Sequence, residues 1–431
     1  MNKTTPITDT KRIRIIDAIR GIAILGILLM NVYVGGQYWE ENLFQELIGN
    51  YSSADFIATI FVQSLFEGKM RALFCMLFGA GILLFLQNKR KQGVIGIEKL
   101  HFKRMFWLAL FGLFNGYVLL FKYDILFMYA IAGIILIFLK NLRIRYKLMA
   151  MPLVILIGLI HSNIDYQKER AEYLAELTKN KISIGDSATI GKDNEPHIRL
   201  KEEENLMKGS YIAVATAVYP KVFEGQTKEF ISRITDNIPL MLLGMALFQL
   251  GFFTNGWSKR QYQKTVALGY LIGIPLVVYD WYFFLEVQNR EAARNAMYIN
   301  QSIDLSFLVY HLQRIALALA HVALIVLLYN KGWFGNLFKR LEAVGQMALT
   351  NYLMQSIFLA IIFYGFGFKL FNTLSYYQLY FVVFVIWIAQ LGYSPIWLKH
   401  YRFGPFEWLW RSLTYGKKQK IKRVNVSQQK P

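Results

Sequence analysis

Residues 17–36, DAIRGIAILGILLMNVYVGG, decide the class of the fold. A helix of this length is about 30 Å long and crosses the hydrocarbon core of a bilayer. Basic residues Lys11, Arg12 and Arg14 precede the stretch, but no small-x-small cleavage site follows, so we expect an uncleaved first span rather than a signal peptide. The whole chain is 55% hydrophobic and only 18% charged, against about 25% charged in soluble domains. The sequence therefore predicts an integral membrane protein.

Nine further stretches have the length and apolar composition of membrane spans. They are 70–87, 104–121, 123–140, 146–161, 236–254, 264–285, 303–329, 341–363 and 376–396. The stretch 146–161 is the weakest, because its apolar core is short and contains Pro152. Residues 54–66 are too short to cross alone and are expected to lie in the interface or to extend the second span. We predict an all-α, polytopic membrane helix bundle of about ten transmembrane helices.

The charge distribution predicts the orientation of these spans. The formal net charge is +20, and the basic residues fall in connections 88–103, 140–147, 255–263 and 330–340 and in the C-terminal tail. The connection 37–54 contains Glu40, Glu41 and Glu46 but no Lys or Arg. The positive-inside rule then places both termini in the cytoplasm. Because this rule accounts for the excess charge, we expect the lipid bilayer as a partner and do not expect nucleic acid.

The one long connection, 162–235, is nearly neutral, as expected of a translocated segment. We predict helices over Ile164–Lys181 and Glu202–Val218, separated by a turn region, and together they would cap the outer face. The predicted organisation is an N-terminal transmembrane half (1–161), this extracytoplasmic helical loop (162–235), a C-terminal transmembrane half (236–400), and an interfacial helix with a basic cytoplasmic tail (401–431).

The eighth predicted span contains four ionisable side chains, Asp304, His311, Arg314 and His321, within about a 100° arc of the helix. Each such group costs roughly 2.5–3.5 kcal/mol at membrane depth. They form either a polar seam between helices or the lining of a substrate cavity, and we favour the cavity. In that interpretation His311 is a general base held by Asp304, and Arg314 stabilises an oxyanion.

Other polar residues extend the predicted site. Candidate substrate-binding residues are Asn31, Lys69, Arg71, Asp124, Asp280, Asn351 and Gln355. Candidate residues for phosphates of a cytosolic ligand are Asp17, Arg20, Arg340, Arg402 and Arg411. Asp17 and Arg20 also have the spacing of a simple pair along a helix. Cys75 is the one cysteine, and no CxxC or HExxH spacing occurs, so we expect no metal site. ATP-driven transport is not expected, because the chain has no Walker A loop.

Several segments carry a family resemblance. They are RIRIIDAIRGIAILGILLMN (12–31), EGKMRALFCMLFGAGILL (67–84), YDILFMYAIAGIIL (123–136), GQMALTNYLMQS (345–356) and SPIWLKHYRFGPFEWLWRSLTYG (394–416). Together they resemble the bacterial YeiB-like membrane family, which is named for a domain of unknown function. The resemblance implies a multi-pass protein of the bacterial plasma membrane.

That family in turn resembles the transmembrane acyltransferase superfamily, which includes heparan-α-glucosaminide N-acetyltransferase. The D-x-x-R-G motif (Asp17, Arg20, Gly21) and the stretch NVYVGGQYW are similar to the first span and following loop of that enzyme. The resemblance implies an acyl-CoA cosubstrate, no bound cofactor, and acyl transfer to an extracytoplasmic or lipid-linked acceptor. The enzyme's catalytic His after this loop has no counterpart in residues 40–50, so His311 or an outer acid would replace it.

Three functional hypotheses follow. The first is acyl transfer from acyl-CoA to a small-molecule, glycan or lipid acceptor. The second is transport of a small solute, because intramembrane charges can select an anion or a proton-coupled substrate. The third is a sensor or scaffold whose outer connection binds a partner. Binding of acyl-CoA discriminates the first hypothesis from the other two.

Overall fold

A computed structural model describes residues 12–38, 50–180, 195–288 and 291–423, and these residues form an all-α helical bundle, as predicted. The helices are α1 (Arg14–Gly36), α2 (Ala54–Leu65), α3 (Lys69–Lys91), α4 (Ile97–Leu113), α5 (Leu126–Leu139), α6 (Ile144–Asn180), α7 (Glu195–Met207), α8 (Tyr211–Thr227), α9 (Phe230–Gln249), α10 (Lys259–Phe283), α11 (Glu291–Asn300), α12 (Ser306–Asn330), α13 (Gly335–Gln346), α14 (Ala348–Phe363), α15 (Tyr376–His400) and α16 (Pro405–Tyr415). Helices α4 and α10 continue into short π-helical turns, Phe114–Val118 and Phe284–Gln288.

Among the described residues, seven helical segments are long and apolar enough to cross a membrane, and the bent pair α13–α14 adds an eighth. Nine of the ten predicted spans each coincide with one helix, and 341–363 covers parts of the bent pair α13 and α14. Two predicted spans, 104–121 and 123–140, lie on helices that are not long and apolar enough to count among these seven or eight segments. The former lies on α4, whose first half carries Glu98, Lys99, Lys103 and Arg104, so its apolar window is short. The latter lies on α5, which is apolar but has only 14 residues.

The basic connections between the spans lie at one end of the bundle. We call this the basic end; it contains the last turn of α3 (Lys89–Lys91) and the start of α4, where Glu98 pairs with Lys140 of the α5–α6 connection at 2.6 Å. The opposite end, where α1 and α14 finish and α15 begins, we call the outer end. The positive-inside rule predicts that the basic end faces the cytoplasm.

The connection 162–235 differs in detail from the prediction. Helix α6 runs without a break through Pro152 to Asn180, so the fifth span and the polar helix that follows it are one helix. The second predicted helix is two helices, α7 and α8, separated at Gly209 and Ser210, where the Ser210 hydroxyl caps α8. The predicted turn region between α6 and α7 lies outside the described residues.

Helices α7 and α8 lie against the outer end of the bundle. Tyr38, which follows α1, donates to Glu204 Oε2 at 2.6 Å, and the Gly365 amide after α14 donates to Met207 O at 2.9 Å. Burial would raise the pKa of Glu203, but nearby Lys122 and Lys221 hold that pKa below its usual value. These contacts are those expected of an outer cap.

Two glycines allow the backbones of α1 and α13 to touch. A Cβ on Gly21 would lie 2.1 Å from the Leu341 carbonyl oxygen, and one on Gly345 would lie 1.9 Å from the Asp17 carbonyl oxygen. Helix α13 can cross the start of α1 because it meets α14 at an 84° bend. The packing contact therefore fixes the D-x-x-R-G motif against the bend between α13 and α14.

We expect Gly21→Leu to lower the free energy of unfolding by about 1–3 kcal/mol, because the new side chain collides with backbone that cannot move aside. The matched control is Gly392→Leu on α15, where an added Cβ meets no atom within 4 Å. Thermal unfolding of the purified variants measures the difference. Equal stability of the two variants would contradict the close contact between α1 and α13.

Candidate functional site

A cavity of about 270 Å³ is enclosed by α1, α3, α4, α5, α13, α14 and α16, together with Arg12, Ile13 and Phe403, which adjoin α1 and α16. One face of α3 forms its longest wall. The lining positions on that helix are 74, 77, 78, 81, 84, 85, 88 and 89, which recur at the three- and four-residue spacing of a helix face. Lys89 and Phe74 are fifteen positions apart, so this wall is about 22 Å long.

The cavity has a charged mouth at the basic end. Its charged residues are Arg12, Asp17, Arg20, Lys89, Arg104, Glu407 and Arg411. Asp17 accepts a hydrogen bond from Arg20 Nη1 at 2.9 Å and also pairs with Arg12, so the predicted pair along the helix exists. Five cations face two carboxylates, and the mouth as a whole is positive and suited to phosphate groups.

Helix α16 contributes an aromatic wall to the mouth. The Arg104 guanidinium lies between the rings of Phe85 and Trp410, 4.8 and 4.6 Å from their centroids. The Trp410 indole donates to the Arg104 carbonyl oxygen at 2.9 Å. Arg411 lies over the Phe403 ring at 4.4 Å. Helix α16, which lies in the predicted interfacial segment, thus also closes one side of the cavity.

Glu407 is a buried carboxylate in this wall. Its Oε1 accepts from the Thr350 amide at 3.0 Å, and its Oε2 accepts from the Thr350 hydroxyl at 2.6 Å. Burial raises the pKa of the Glu407 carboxyl, although these hydrogen bonds oppose the rise. A carboxyl with a raised pKa beside cationic groups is a candidate for proton transfer.

The body of the cavity is apolar. From Phe85 to Phe74 the α3 wall consists of hydrophobic side chains and Gly81, and Leu108, Leu126 and Leu349 face it from other helices. Two tyrosines, Tyr129 and Tyr352, stand at the end away from the mouth. The site therefore joins a cationic entrance to a hydrocarbon-like interior.

A cluster of charged side chains lies just beyond Tyr129, which accepts from Cys75 Sγ at 2.9 Å and donates to the Arg71 carbonyl oxygen at 3.4 Å. Its members are Asp236, Arg71, Arg314 and His311, and we call it the Asp236 cluster. The Asp236 carboxylate forms ion pairs with both arginines, and His311 Nε2 lies 3.2 Å from its Oδ1. These contacts join α3, α9 and α12 inside the bundle.

The structure corrects the predicted pairing of Asp304 with His311. Asp304 precedes α12 and accepts hydrogen bonds from the amide and hydroxyl of Ser306, at 2.9 and 2.7 Å. The carboxylate beside His311 is Asp236. Sequence analysis placed Asp236 at a span end, but α9 begins six residues earlier at Phe230, which brings Asp236 inside the bundle. His311 Nδ1 faces the Phe307 carbonyl oxygen at 2.8 Å.

The predicted outer polar residues have other partners. Lys69 donates to the Gln63 carbonyl oxygen at 3.2 Å. Asp280 accepts from Gln313 at 2.8 Å. Asp124 accepts from the Phe127 amide at 2.9 Å and thereby caps the start of α5. None of these residues lines the described cavity, and neither does Asn31, which is half-buried on α1.

Asn351 and Gln355 belong to a buried hydrogen-bond network that joins α14 to its neighbours. Asn351 donates to the Val344 carbonyl oxygen at 2.9 Å, and Gln355 donates to Gln390 Oε1 on α15 at 3.0 Å. Gln390 in turn donates to the Asn351 carbonyl oxygen at 2.9 Å. Both residues lie outside the cavity lining, so their contacts explain their burial without a ligand.

Of the predicted phosphate-binding residues, Asp17, Arg20 and Arg411 line the cavity, whereas Arg340 and Arg402 do not. Arg340 instead donates to the Leu391 carbonyl oxygen at 3.0 Å. Four further charged residues of the lining were not predicted as site residues: Arg12, Lys89, Arg104 and Glu407. The helical stripe on α3 that ends in Lys89 is the signal that indicates this face.

Comparison with known proteins shows similarity to a family of unknown function and to uncharacterized relatives, and it gives no activity. Residues 247–417 match the family described as "Protein of unknown function (DUF418)". The chain is 29% identical to the uncharacterized protein YeiB of Escherichia coli (strain K12), covering 93% of this chain and 95% of YeiB. It is 27% identical to the uncharacterized protein YxaH of Bacillus subtilis (strain 168), covering 96% and 97%. No solved structure matches. The prediction of a YeiB-like family of unknown function is confirmed.

We expect Asp236→Ala to lower the free energy of unfolding by about 3–5 kcal/mol, because it leaves the buried Arg314 guanidinium and the partly exposed Arg71 without their carboxylate. The control is Asp165→Ala on α6, where the side chain is 55% exposed and pairs with Lys168. That exposed pair is worth about 0–1 kcal/mol. Unfolding curves of the two purified variants test the prediction, and an Asp236→Ala protein as stable as the control would refute it.

Proposed function

We propose that this YeiB-like protein is a membrane-embedded acyltransferase of the bacterial plasma membrane, which takes an acyl-CoA donor from its basic end. One observation carries the proposal: the cavity combines a cationic mouth with an apolar body. A soluble anion needs only the mouth, and a neutral lipid needs only the body. An acyl-CoA has both the phosphates and the hydrocarbon chain that the two parts favour.

The segments that carry the family resemblance support this location. The cavity is lined by 28 residues, and 23 of them fall in the five quoted segments. The other five, Phe85, Asn88, Lys89, Arg104 and Leu108, come from the last turns of α3 and from α4. If those segments carry the shared function, its ligand binds in this cavity.

The mouth also holds groups suited to the chemistry. In our proposal the acceptor hydroxyl or amine attacks the thioester carbonyl carbon, and Glu407 takes the proton from the acceptor. A C–O or C–N bond forms, the C–S bond breaks, and the CoA sulfur leaves and takes up a proton from Glu407. The acceptor must reach the mouth, so the lipid-linked alternative fits this arrangement better than an extracytoplasmic one.

This assignment replaces His311, Asp304 and Arg314 as the proposed catalytic residues. His311 does not line the cavity, and its two ring nitrogens face the Phe307 carbonyl oxygen and the Asp236 carboxylate. We propose that the Asp236 cluster instead holds three helices together behind the closed end of the cavity.

Transport of a small solute is the second candidate. The Asp236 cluster favours it, because Arg314 Nε and Nη1 are buried and, within the part of the chain that the structure describes, meet no hydrogen-bond acceptor. Buried charges of this kind line ion and solute pathways in membrane proteins. The apolar body of the cavity argues against a polar pathway that continues from its mouth to this cluster.

We expect Arg20→Ala and Arg411→Ala each to weaken binding of acyl-CoA by about tenfold or more, because each removes a charge-assisted hydrogen bond to phosphate worth about 1.5–3 kcal/mol. The matched controls, Arg340→Ala and Arg402→Ala, also remove one arginine at the basic end but from outside the cavity. Calorimetric titration of purified protein measures all four affinities. Folded protein that binds no acyl-CoA would exclude the proposal and favour transport, which vesicle uptake assays then test.

Glu407→Gln should abolish the rise of kcat/KM with pH that deprotonation of the base produces. In the native protein we expect kcat/KM to rise at a pH above the range in which ordinary carboxyl groups titrate, because burial raises the pKa of Glu407. Glu342→Gln is the control, since Glu342 on α13 contacts Tyr329 and does not line the cavity. Rates of acyl transfer from pH 5 to about 9 test this. If kcat/KM of Glu407→Gln rises with pH as in the native protein, Glu407 is not the base.

A further inference from the structure

We infer that the donor carries a long hydrocarbon chain, which passes Gly81 and ends beside Phe74 and Tyr129. This inference rests on the proposed function for the identity of the head group and adds the class of its acyl chain. It also makes Gly81 a specificity-determining residue.

The depth of the cavity beyond its charged mouth supports a long chain. Gly81 is eight positions from Lys89, or about 12 Å along α3. Phe74 is a further seven positions away, or about another 10 Å. An acetyl group held with its CoA phosphates at the mouth and its thioester near Glu407 would leave the far half of the cavity empty.

The walls of that far half favour hydrocarbon over a polar arm. Beyond Gly81 the lining on α3 and α5 consists of Phe74, Leu77, Phe78, Leu126 and Tyr129. An amide placed between such side chains loses hydrogen bonds to water and pays about 1–3 kcal/mol. A methylene group gains about 0.8 kcal/mol relative to water. The thioester and the amides of the CoA arm therefore belong at the mouth, and the acyl chain belongs in the body.

Gly81 faces the open space of this cavity. It lines the cavity, and a Cβ added there would meet no atom within 4 Å. A larger side chain at position 81 would thus enter the cavity rather than collide with a neighbouring helix. It would shorten the space for a chain from about 22 Å to about 12 Å and leave the charged mouth intact.

The experiment uses the full chain in lipid nanodiscs and a palmitoyl-CoA probe with a photoreactive diazirine at the chain end. In the native protein we expect label on α3 near Phe74–Phe78 and on α5 near Leu126–Tyr129, found by mass spectrometry of proteolytic fragments. Gly81→Leu should reduce this deep label at least tenfold, and Gly81→Ala should reduce it less. Gly392→Leu, which adds the same side chain to open space on α15 outside the cavity, should label like the native protein.

Titration with free CoA separates the two proposals. Deep label that free CoA competes away supports both the long chain and the acyl-CoA head group. Deep label that free CoA leaves unchanged and phosphatidic acid removes retains the hydrocarbon chain but overturns acyl-CoA as the donor. Label confined to the mouth, in protein that binds free CoA, overturns the long chain and retains the proposed function. Gly81→Leu must bind free CoA with unchanged affinity, and deep label that persists in this folded variant also overturns the inference.

Discussion

The cavity depends on the contact between the backbones of α1 and α13 at Gly21 and Gly345. Any side chain at either position would push the helices apart, because the added Cβ would lie within 2.1 Å of a carbonyl oxygen. Their approach places Asp17 and Arg20 beside the start of α14, where Thr350 holds Glu407 of α16. Three distant parts of the chain meet there to form the mouth. A packing requirement of two glycines thus determines where the charges of the site lie.

The fold was predictable where it depends on hydropathy and poorly predictable where it depends on helix ends. Every predicted span is largely helical, because a stretch of apolar residues long enough for the bilayer has to satisfy its backbone internally. The run of α6 through Pro152 was missed, since the loss of one backbone hydrogen bond did not end the helix. The 84° bend between α13 and α14 was also missed, because residues 341–363 are apolar on both sides of it.

Individual charged residues of the site were predictable from the sequence, but their partners in space were not. Burial of an ionisable group at membrane depth is visible in a sequence, so Arg314, His311 and Arg71 were recognised as unusual. Their pairing with Asp236 was not predicted, because a tertiary contact between α9 and α12 has no sequence spacing. Arg20, Arg411, Arg340 and Arg402 look alike in the sequence as candidates for phosphate binding, and only the structure separates the first two, which line the cavity, from the other two, which do not.

The two buried polar regions differ in what their surroundings leave for a ligand. In the Asp236 cluster one carboxylate joins two arginines across three helices, and its removal leaves both cations without a partner, as expected of a structural network. At the mouth the cations also outnumber the carboxylates, but they adjoin an apolar cavity, which no member of the Asp236 cluster lines. A ligand with an anionic head and an apolar chain matches this combination of a positive entrance and an apolar body. That difference is why we assign function to the mouth and the body rather than to the Asp236 cluster.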